Sequence, residues 1–265
     1  MAWFLTYFAI GTAVGFLAGL LGIGGGMTLV PVLAIVFTAQ QIAPDHVIHL
    51  ALGTAMASIV LTSSSSGLQH YKLGNVDLDL ARKIAPGMVI GSLAATLASG
   101  WIPQKQLAMI FAVIVYAGGT QILLNKRPQS TATSIRSSIV VMAGVAIGIL
   151  SGLVSGGGAF LTVPFMLWHG ASIHRAIGTA ATLSIPIAVV GTIGYAISGW
   201  RIDTLPVDAL GFISLSALAG IGAGSILTAP MGARLSNRVP VRSLRRIFAC
   251  LLYALATKML WTYWS

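Results

Sequence analysis

The sequence predicts an all-α polytopic membrane protein made of two inverted repeats, and its composition, internal repeat and charge distribution each support this fold class. Of its 265 residues, 56% are hydrophobic and 8% are charged, and the mean hydropathy is +0.91. A soluble domain has about 25% charged residues, so this chain cannot cover a water-exposed surface with polar groups. Apolar stretches of about 20 residues, the length that spans a bilayer core, recur along the chain. Its expected surrounding is therefore the lipid bilayer.

The chain resembles itself at an offset of 125 to 137 residues. In order along the chain, the matched segments are 19–25 with 152–158, 48–55 with 173–180, 87–92 with 220–225, and 107–116 with 244–253. Four matches in the same order are not expected by chance. We therefore divide the chain into a first repeat, 1–130, and a second repeat, 131–265.

Each repeat is predicted to contain a full helix, a short half-helix that follows a glycine break, and three further transmembrane helices. In the first repeat these segments are 3–21, 27–41, 47–68, 83–100 and 105–124, and in the second they are 137–154, 159–172, 174–198, 207–227 and 243–263. A short segment of about 15 residues reaches roughly 22 Å, less than the bilayer core of about 30 Å. The sequence leaves open whether the short segments cross completely.

Positive charge indicates how the repeats insert. If each short segment crosses the membrane, each repeat has five crossings, an odd number, and the two repeats insert upside down to one another. Of the Lys and Arg residues, twelve then lie on one face of the membrane and three on the other. If the short segments do not cross, the division is seven to eight. Lys and Arg collect on the cytoplasmic side, so we predict an inverted repeat in the inner cell membrane. Both termini are then outside, and the loops at 126–136 and 234–246 are cytoplasmic.

The N-terminal residues, the net charge and the cysteine count exclude several other classes of protein and site. The first apolar segment has no basic residue before it, so we interpret it as a retained helix and not as a cleaved signal peptide. The net charge of +10 is better explained by topology than by a nucleic-acid partner. Cys250 is the single cysteine, which excludes an intrachain disulfide and a multi-cysteine metal site. The sequence predicts no metal or cofactor and leaves a homo-oligomer open.

Two glycine-rich breaks form the predicted binding site. Its residues are Gly24, Gly25, Gly26 and Met27 at the first break and Ser155, Gly156, Gly157, Gly158 and Ala159 at the second. Close helix packing explains glycines spaced by four, but not three glycines in a row, twice, each followed by Val-Pro. A half-helix that starts inside the membrane presents unpaired N–H groups and the positive end of its dipole, which favours an anion.

The distribution of carboxylates also favours an anion. The chain has no Glu, and its five Asp residues lie in predicted loops or at predicted helix ends. Cation-coupled pumps often keep a carboxylate at mid-membrane. The sequence therefore weighs against a cation substrate and against a carboxylate proton relay.

Five further residues are candidates for the site or its gates. Thr54 and Thr179, in a repeated Gly-Thr-Ala, could offer hydroxyls to the substrate or could bond their own helix backbone. His49 and His174 could carry a proton near neutral pH, or could be neutral residues at the membrane interface. Arg175 could attract anions or could mark the cytoplasmic side.

One polar run has no counterpart in the other repeat. Residues 62–66 are Thr-Ser-Ser-Ser-Ser, whereas the matching residues 187–191 are apolar or Gly. This difference suits contacts to an asymmetric substrate, but serines in membrane helices also bond backbone or the next helix. Both interpretations stay open.

The doubled glycine motif resembles a known family. Residues 19–26 running to Val30-Pro31, the echo at 152–164, and the block at 51–55 are together similar to the TauE/SafE family of sulfite and organosulfonate permeases. The resemblance covers nearly the whole chain. It implies transport, usually export, of small sulfur-containing anions such as sulfite, sulfoacetate or related sulfonates, with the glycine turns on the substrate path. The second break departs from the first, with Ser155 and Ala159 in place of Gly22 and Gly26.

Three functional classes follow from these observations. The first is a secondary transporter that exports a small anion by alternating access, and the second is an anion channel. The third is an intramembrane serine hydrolase with Ser155 as nucleophile and His169 or His174 as base. The predicted function is the transporter.

Overall fold

The structure is a computed structural model that describes residues 2–21, 25–124, 137–235 and 241–264. Within these ranges the chain folds into ten α-helices. In chain order they are α1 (Ala2–Leu21), α2 (Gly26–Ala39), α3 (Val47–Lys72), α4 (Leu78–Ser99), α5 (Gln104–Leu124), α6 (Ser137–Val154), α7 (Ala159–Trp168), α8 (Ile173–Gly199), α9 (Leu215–Leu235) and α10 (Val241–Trp264). They correspond to the ten predicted segments, so the all-α class is confirmed.

Among the described helices, four are long and apolar enough to cross a bilayer by length and composition. They are α1, through its residues Trp3–Leu20, with α3, α8 and α9. The two helices that follow the glycine breaks are shorter, with 14 residues in α2 and 10 in α7. Of the apolar window in α3, 83% is buried, so α3 lies at the centre of the bundle.

Helices of the two predicted repeats pair crosswise through glycines. α1 packs against α9, and α4 packs against α6. A Cβ atom on Gly11 would lie 2.2 Å from the carbonyl oxygen of Ile221, and one on Gly91 would lie 2.2 Å from that of Val145. Any side chain at these positions would push the helices apart. The packing role expected for glycines spaced by four is therefore confirmed.

Contacts between the long helices show their relative directions. α3 and α8 are antiparallel, because Gly67 lies against Thr182 while Met56, nearer the start of α3, lies against Gly191. α1, α3 and α9 run parallel to one another, and so do α4, α6 and α8. The equivalent pairs α1 and α6, α3 and α8, and α4 and α9 therefore run in opposite directions, which is consistent with the predicted inverted repeat. Their insertion relative to the two membrane faces stays a prediction.

The ninth helix begins later than the sequence predicts. The predicted segment is 207–227, and the observed helix is Leu215–Leu235. The residues before it form a loop, in which Ala209 and Ser214 make an isolated antiparallel bridge and Gly211 has a φ of 56°. Phe212 of this loop is 0% exposed. This residue is buried by packing against other helices. Hydropathy does not distinguish such a loop from a helix, so the predicted segment began too early.

Two other boundaries differ for local reasons. α4 begins at Leu78 rather than at residue 83, since the Asp77 carboxylate accepts a hydrogen bond from the Leu80 N–H and caps the helix. α7 ends at Trp168 rather than at residue 172, because Gly170 adopts a φ of 81° that turns the chain.

Candidate functional site

The two glycine breaks meet inside the bundle. Gly26, the first residue of α2, lies directly against Ser155, since a Cβ atom on Gly26 would lie 1.6 Å from the Ser155 carbonyl oxygen. Both residues are buried. This contact joins the breaks of the two predicted repeats. We call residues 25–26 the first turn and residues 155–158 the second turn.

Each half-helix begins after a glycine in the left-handed conformation. Gly25 precedes α2 with φ 76° and ψ −11°, and Gly158 precedes α7 with φ 81° and ψ −16°. The repeat alignment makes these two glycines equivalent, and their conformations are nearly the same. Residues with a Cβ atom are strained at such φ values, so glycine is required at both positions.

The starts of α2 and α7 have backbone donors that receive no acceptor from within their own helices. Neither preceding glycine has a side chain that could cap its helix, and each glycine carbonyl accepts N–H groups from the third and fourth residues after it. The N–H groups of the first two residues, Gly26 and Met27 in α2 and Ala159 and Phe160 in α7, are the helix-start donors. Together with the helix dipole, each start is equivalent to about half a positive charge.

The turns lie level with the middle of the two longest helices. Ile59, the thirteenth of 26 residues in α3, has Cδ1 2.8 Å from the Cβ position of Gly26 and Cγ2 3.5 Å from that of Gly157. Ser184, near the middle of α8, donates a hydrogen bond to the Gly157 carbonyl. Both long helices are candidate membrane spans. The turns therefore lie near the middle of both helices.

Two further hydroxyls fix the second turn. Ser155 has a φ of 47°, and its Oγ donates to the Leu52 carbonyl of α3 at 2.7 Å. The buried Tyr195 hydroxyl donates to the Gly152 carbonyl, at the end of α6, at 2.9 Å. These bonds tie the break after α6 to the two long central helices, and so hold the second turn in place.

The remaining predicted turn residues are buried or lie outside the described residues. Gly24 falls outside them. Gly156 and Ala159 are buried, and Met27 is 0% exposed. The Met27 methyl group lies 3.6 Å from the Cβ position of Gly118 in α5, so its side chain packs against that helix.

Among the described residues, the atoms nearest to Gly158 and Gly26 belong to uncharged groups. Around the Cβ position of Gly158 lie Met88 Cε at 2.9 Å, Ile187 Cδ1 at 3.0 Å and Ser151 Oγ at 3.3 Å. Around Gly26 lie the backbone of Ser155 and the side chain of Ile59. The nearest groups therefore add no charge to the dipoles of the two helix starts.

The structure places Thr54 and Thr179 against loops of the opposite repeat. Thr54 Oγ1 accepts the N–H of Ser214 at 2.9 Å, and Thr179 Oγ1 accepts the N–H of Asp77 at 2.8 Å. Thr54 is five residues before Ile59, about 140° around the helix, so the two side chains point to different sides. Their role as substrate contacts stays a prediction.

The glycines of the same Gly-Thr pairs make these loop contacts possible. A Cβ atom on Gly53 would lie 2.0 Å from the Phe212 carbonyl oxygen, and one on Gly178 would lie 2.2 Å from the Asn75 carbonyl oxygen. Each repeated Gly-Thr pair thus fixes the loop that leads into α9 or α4.

The structure does not bring the other three candidates to the turns. His49 Nε2 lies 3.2 Å from the Ser99 carbonyl oxygen and 3.0 Å from that of Ile102, and its ring stacks on Phe212 at 4.8 Å. Carbonyl oxygens only accept, so Nε2 carries the ring proton. His174 and Arg175 are exposed in the first turn of α8.

Sequence reasoning missed one equivalent pair of polar residues. His70 Nε2 lies 3.4 Å from the Gly19 carbonyl oxygen, and the equivalent Tyr195 donates to the equivalent Gly152 carbonyl. Both side chains satisfy the carbonyl of a helix that ends at a glycine break. The offset of 125 residues that aligns the Gly-Thr-Ala blocks also aligns these two residues, and is the signal that could have found them.

Comparison with known proteins gives one family. The sequence profile described as Sulfite exporter TauE/SafE matches residues 7–259. A "Probable membrane transporter protein" of Haemophilus influenzae is 34% identical over 251 residues, covering 94% of this chain and 95% of the relative. The "Probable membrane transporter protein YdhB" of Bacillus subtilis is 27% identical over 234 residues, covering 85% and 87%. No solved structure matches the chain.

Proposed function

Since the chain belongs to the sulfite exporter TauE/SafE family and is a multi-pass membrane transporter, we propose that it exports a small anion as a secondary transporter. The proposed substrates are sulfite, sulfoacetate or a related organosulfonate. The proposed site lies between the first and second turns, at the starts of α2 and α7.

The convergence of the two half-helix starts carries this proposal. Gly26 contacts Ser155, and Ile59 of α3 lies against both Gly26 and Gly157, so the starts of α2 and α7 lie near each other at mid-depth in the bundle. Two starts with about half a positive charge each could balance one monovalent anion without a buried Lys or Arg. Discontinuous helices at matching positions in two inverted halves are typical of transporter sites.

The position of the carboxylates is consistent with an anionic substrate. Glu is absent from the sequence. Asp77 is the N-cap of α4 and Asp79 lies in its first turn, while Asp45, Asp203 and Asp208 lie in loops. A buried carboxylate at the turns would repel an anion, and none of these five residues lies in the middle of a helix.

A closed site favours a transporter over an anion channel. The first and second turns are buried, and the Gly26–Ser155 contact leaves no room for a side chain between them. An alternating-access cycle would separate the turns from one side at a time. A channel would instead show flux that does not saturate and no exchange between anions.

The Ser155 contacts do not favour the serine hydrolase. Its hydroxyl donates to the Leu52 carbonyl and not to a histidine. His169 Nδ1 contacts the Phe165 carbonyl, and His174 is exposed at the start of α8. A nucleophilic serine needs its proton within reach of a base.

Orientation completes the proposal. We place the chain in the inner cell membrane with both termini outside, because this puts twelve of its Lys and Arg residues on the cytoplasmic side. His174 and Arg175 then lie at the cytoplasmic end of α8, where the cation can attract anions toward the turns. His49 lies toward the outer end of α3, buried among carbonyl groups.

Counterflow in proteoliposomes tests the function. The purified full chain is loaded with one anion from a panel of sulfite, sulfoacetate, methanesulfonate, sulfate and chloride, and the uptake of labelled sulfite or sulfonate is followed. Saturable exchange with sulfite or a sulfonate supports the proposal. Non-saturating flux indicates a channel, and the lack of any flux contradicts transport of these anions.

A pair of glycine variants tests the site. Gly26→Ala places a Cβ atom against the Ser155 carbonyl and should abolish exchange while the protein still inserts. The matched control is Gly67→Ala, where the nearest atom to the new Cβ is 3.4 Å away. Replacing Arg238 and Arg242 by Gln should disturb topology or expression more than substrate affinity. If the arginine variant inserts correctly but loses anion binding, and Gly26→Ala keeps it, the site is elsewhere.

A further inference from the structure

Six buried side-chain atoms have no hydrogen-bond partner within the described part of the chain. They are Gln40 Nε2, His46 Nδ1, His49 Nδ1, Ser63 Oγ, His70 Nδ1 and Asn75 Nδ2. Two of them, on Ser63 and His70, lie in the second half of α3, and each of these residues is 1% exposed. Burying a polar atom without a partner is costly, so these two positions call for a ligand.

Ser63 and His70 lie on the face of α3 that touches the two turns. Ile59 makes those contacts. Ser63 is displaced from it by about 40° around the helix and His70 by about 20°. Ser63 lies about 6 Å, and His70 about 16 Å, further along the axis toward Lys72. The two polar side chains therefore lead from the turns toward the end of α3 that we predict to be cytoplasmic.

The bond to Gly19 fixes which ring nitrogen of a neutral His70 carries the proton. Since the Gly19 carbonyl can only accept, His70 Nε2 carries the proton, and Nδ1 of the neutral ring is an acceptor. The Ser63 hydroxyl can donate as well as accept. The face thus offers a donor near the turns and an acceptor beyond it. A ligand for both needs acceptor oxygens and one proton of its own, which describes a monovalent oxoanion that is not fully deprotonated.

This pair is absent from the equivalent positions of the other half. Ala188 aligns with Ser63, and Tyr195 aligns with His70 but donates its hydroxyl to Gly152. The difference agrees with the asymmetric polar run at residues 62–66. A path with these properties would therefore exist on one side of the turns only.

Charged groups at this end of the bundle suit an anion. His174 lies at the start of α8, at the same end of the bundle as His70. The charged residues on the helix ends here are Lys72 of α3, Arg175 of α8, Arg234 in the last turn of α9, and Asp77, Asp79, Arg82 and Lys83 at the start of α4. Five of these seven residues are cationic, so the net charge is positive and favours an anion that enters or leaves here.

We propose that Ser63 and His70 line the path of the anion between the turns and the cytoplasmic end of α3. An anion that can hold a proton, such as sulfite, passes them in a monovalent form that keeps one proton. Ser63 donates to a charged oxygen, and the proton on the anion is donated to His70 Nδ1. This inference rests on the proposed transport function and adds to it the protonation state of the substrate.

The test replaces each residue by the one that the second half carries. His70→Tyr keeps a hydroxyl for the Gly19 carbonyl and removes Nδ1, and Ser63→Ala removes the donor. Thr62→Val is the matched control, because Thr62 Oγ1 donates to the Ser58 carbonyl of its own helix and Ile187 is its equivalent. The full chain in proteoliposomes is given sulfite, below and above the pH of its second ionisation, and methanesulfonate, which has no proton to donate.

The two anions separate the roles of the two side chains. Wild-type uptake of sulfite should rise as pH falls and hydrogensulfite forms. Hydrogen bonds to charged groups change affinity by roughly tenfold or more, so Ser63→Ala should raise KM for both anions by roughly that factor. His70→Tyr should raise KM by a similar factor for sulfite at low pH, and less for methanesulfonate. Thr62→Val should match the wild type.

Each contrary outcome has a separate meaning. If Gly26→Ala abolishes exchange while Ser63→Ala and His70→Tyr both keep the wild-type KM and pH profile, the path is wrong and the transport function stands. If wild-type protein carries neither anion, the proposed function fails and this inference fails with it. Should His70→Tyr not fold, as judged by its thermal unfolding in detergent, an unchanged KM in Ser63→Ala still overturns the path.

Discussion

Thr54 and Thr179, which are equivalent in the repeat alignment, each hold a loop of the opposite half. The Thr54 hydroxyl accepts the N–H of Ser214, directly before α9, and the Thr179 hydroxyl accepts the N–H of Asp77, directly before α4. The glycine before each threonine allows the loop backbone to approach. These reciprocal contacts give a structural reason for the repeated Gly-Thr-Ala. Each half thereby holds the start of a helix in the other half.

Removing the threonine oxygen should destabilise the fold. Thr54→Val keeps the shape but leaves the buried Ser214 N–H without an acceptor, which costs about 1–3 kcal/mol. Thr54→Ser keeps the oxygen and is the matched control. We expect a clearly lower unfolding temperature in detergent for the Val variant than for the Ser variant. A Val variant as stable as wild type, with weaker anion binding, would instead assign the hydroxyl to the substrate.

Two glycines of α3 should respond in opposite ways to alanine. In Gly53→Ala the new Cβ would lie 2.0 Å from the Phe212 carbonyl oxygen, so the loop before α9 must move. In Gly67→Ala the nearest atom, Ile185 Cδ1, is 3.4 Å away. Helix propensity then favours Ala over Gly by up to about 1 kcal/mol. Thermal unfolding should show a large loss for Gly53→Ala and none for Gly67→Ala.

Equal stability of the two alanine variants would contradict the loop contact at Gly53. Gly178→Ala provides a second measurement, because its Cβ would lie 2.2 Å from the Asn75 carbonyl oxygen in the equivalent loop. We expect it to behave like Gly53→Ala.

The fold was predictable where periodic local signals decide it. Runs of apolar residues and the two breaks gave ten segments in the observed order. The loop at 209–214 was not predictable in this way, because its apolar Phe212 is buried by tertiary contact with α3 and not by a helix. Hydropathy does not distinguish these two kinds of burial.

The site was predictable in its parts but not in its contacts. Three glycines in a row implied a broken helix, and Gly158 does adopt the left-handed conformation that requires glycine. The contact of Gly26 with Ser155 and the position of Ile59 between the turns depend on how the helices pack, which a single sequence does not encode locally. His70 and Tyr195 were overlooked because the two aligned positions carry different residue types, so they do not appear as a match when the repeats are compared.

The two ends of the bundle should be labelled from opposite faces of the membrane. α3 and α8 are antiparallel, so Leu73 after α3 and Asp203 after α8 lie at opposite ends. We expect a cysteine at Asp203 to react with an impermeant maleimide in intact cells, and one at Leu73 to react only after permeabilisation. The exposed Cys250 is first replaced by Ser. Labelling of both positions from the same face would contradict the predicted topology.

Substitution of Ser155 should separate transport from hydrolysis. Its φ of 47° is strained for a residue with a Cβ atom, and the first half has Gly22 at the equivalent position. Ser155→Ala keeps the strain and removes the bond to the Leu52 carbonyl, which costs about 1 kcal/mol. Ser155→Gly removes the same bond but relieves the strain. We therefore expect both variants to retain saturable anion exchange, with the Ala variant unfolding at the lower temperature.

A nucleophilic serine predicts a different pattern, since neither variant could form a covalent intermediate and both would lose all activity to the same extent. Exchange measured in proteoliposomes together with thermal unfolding in detergent decides between the two.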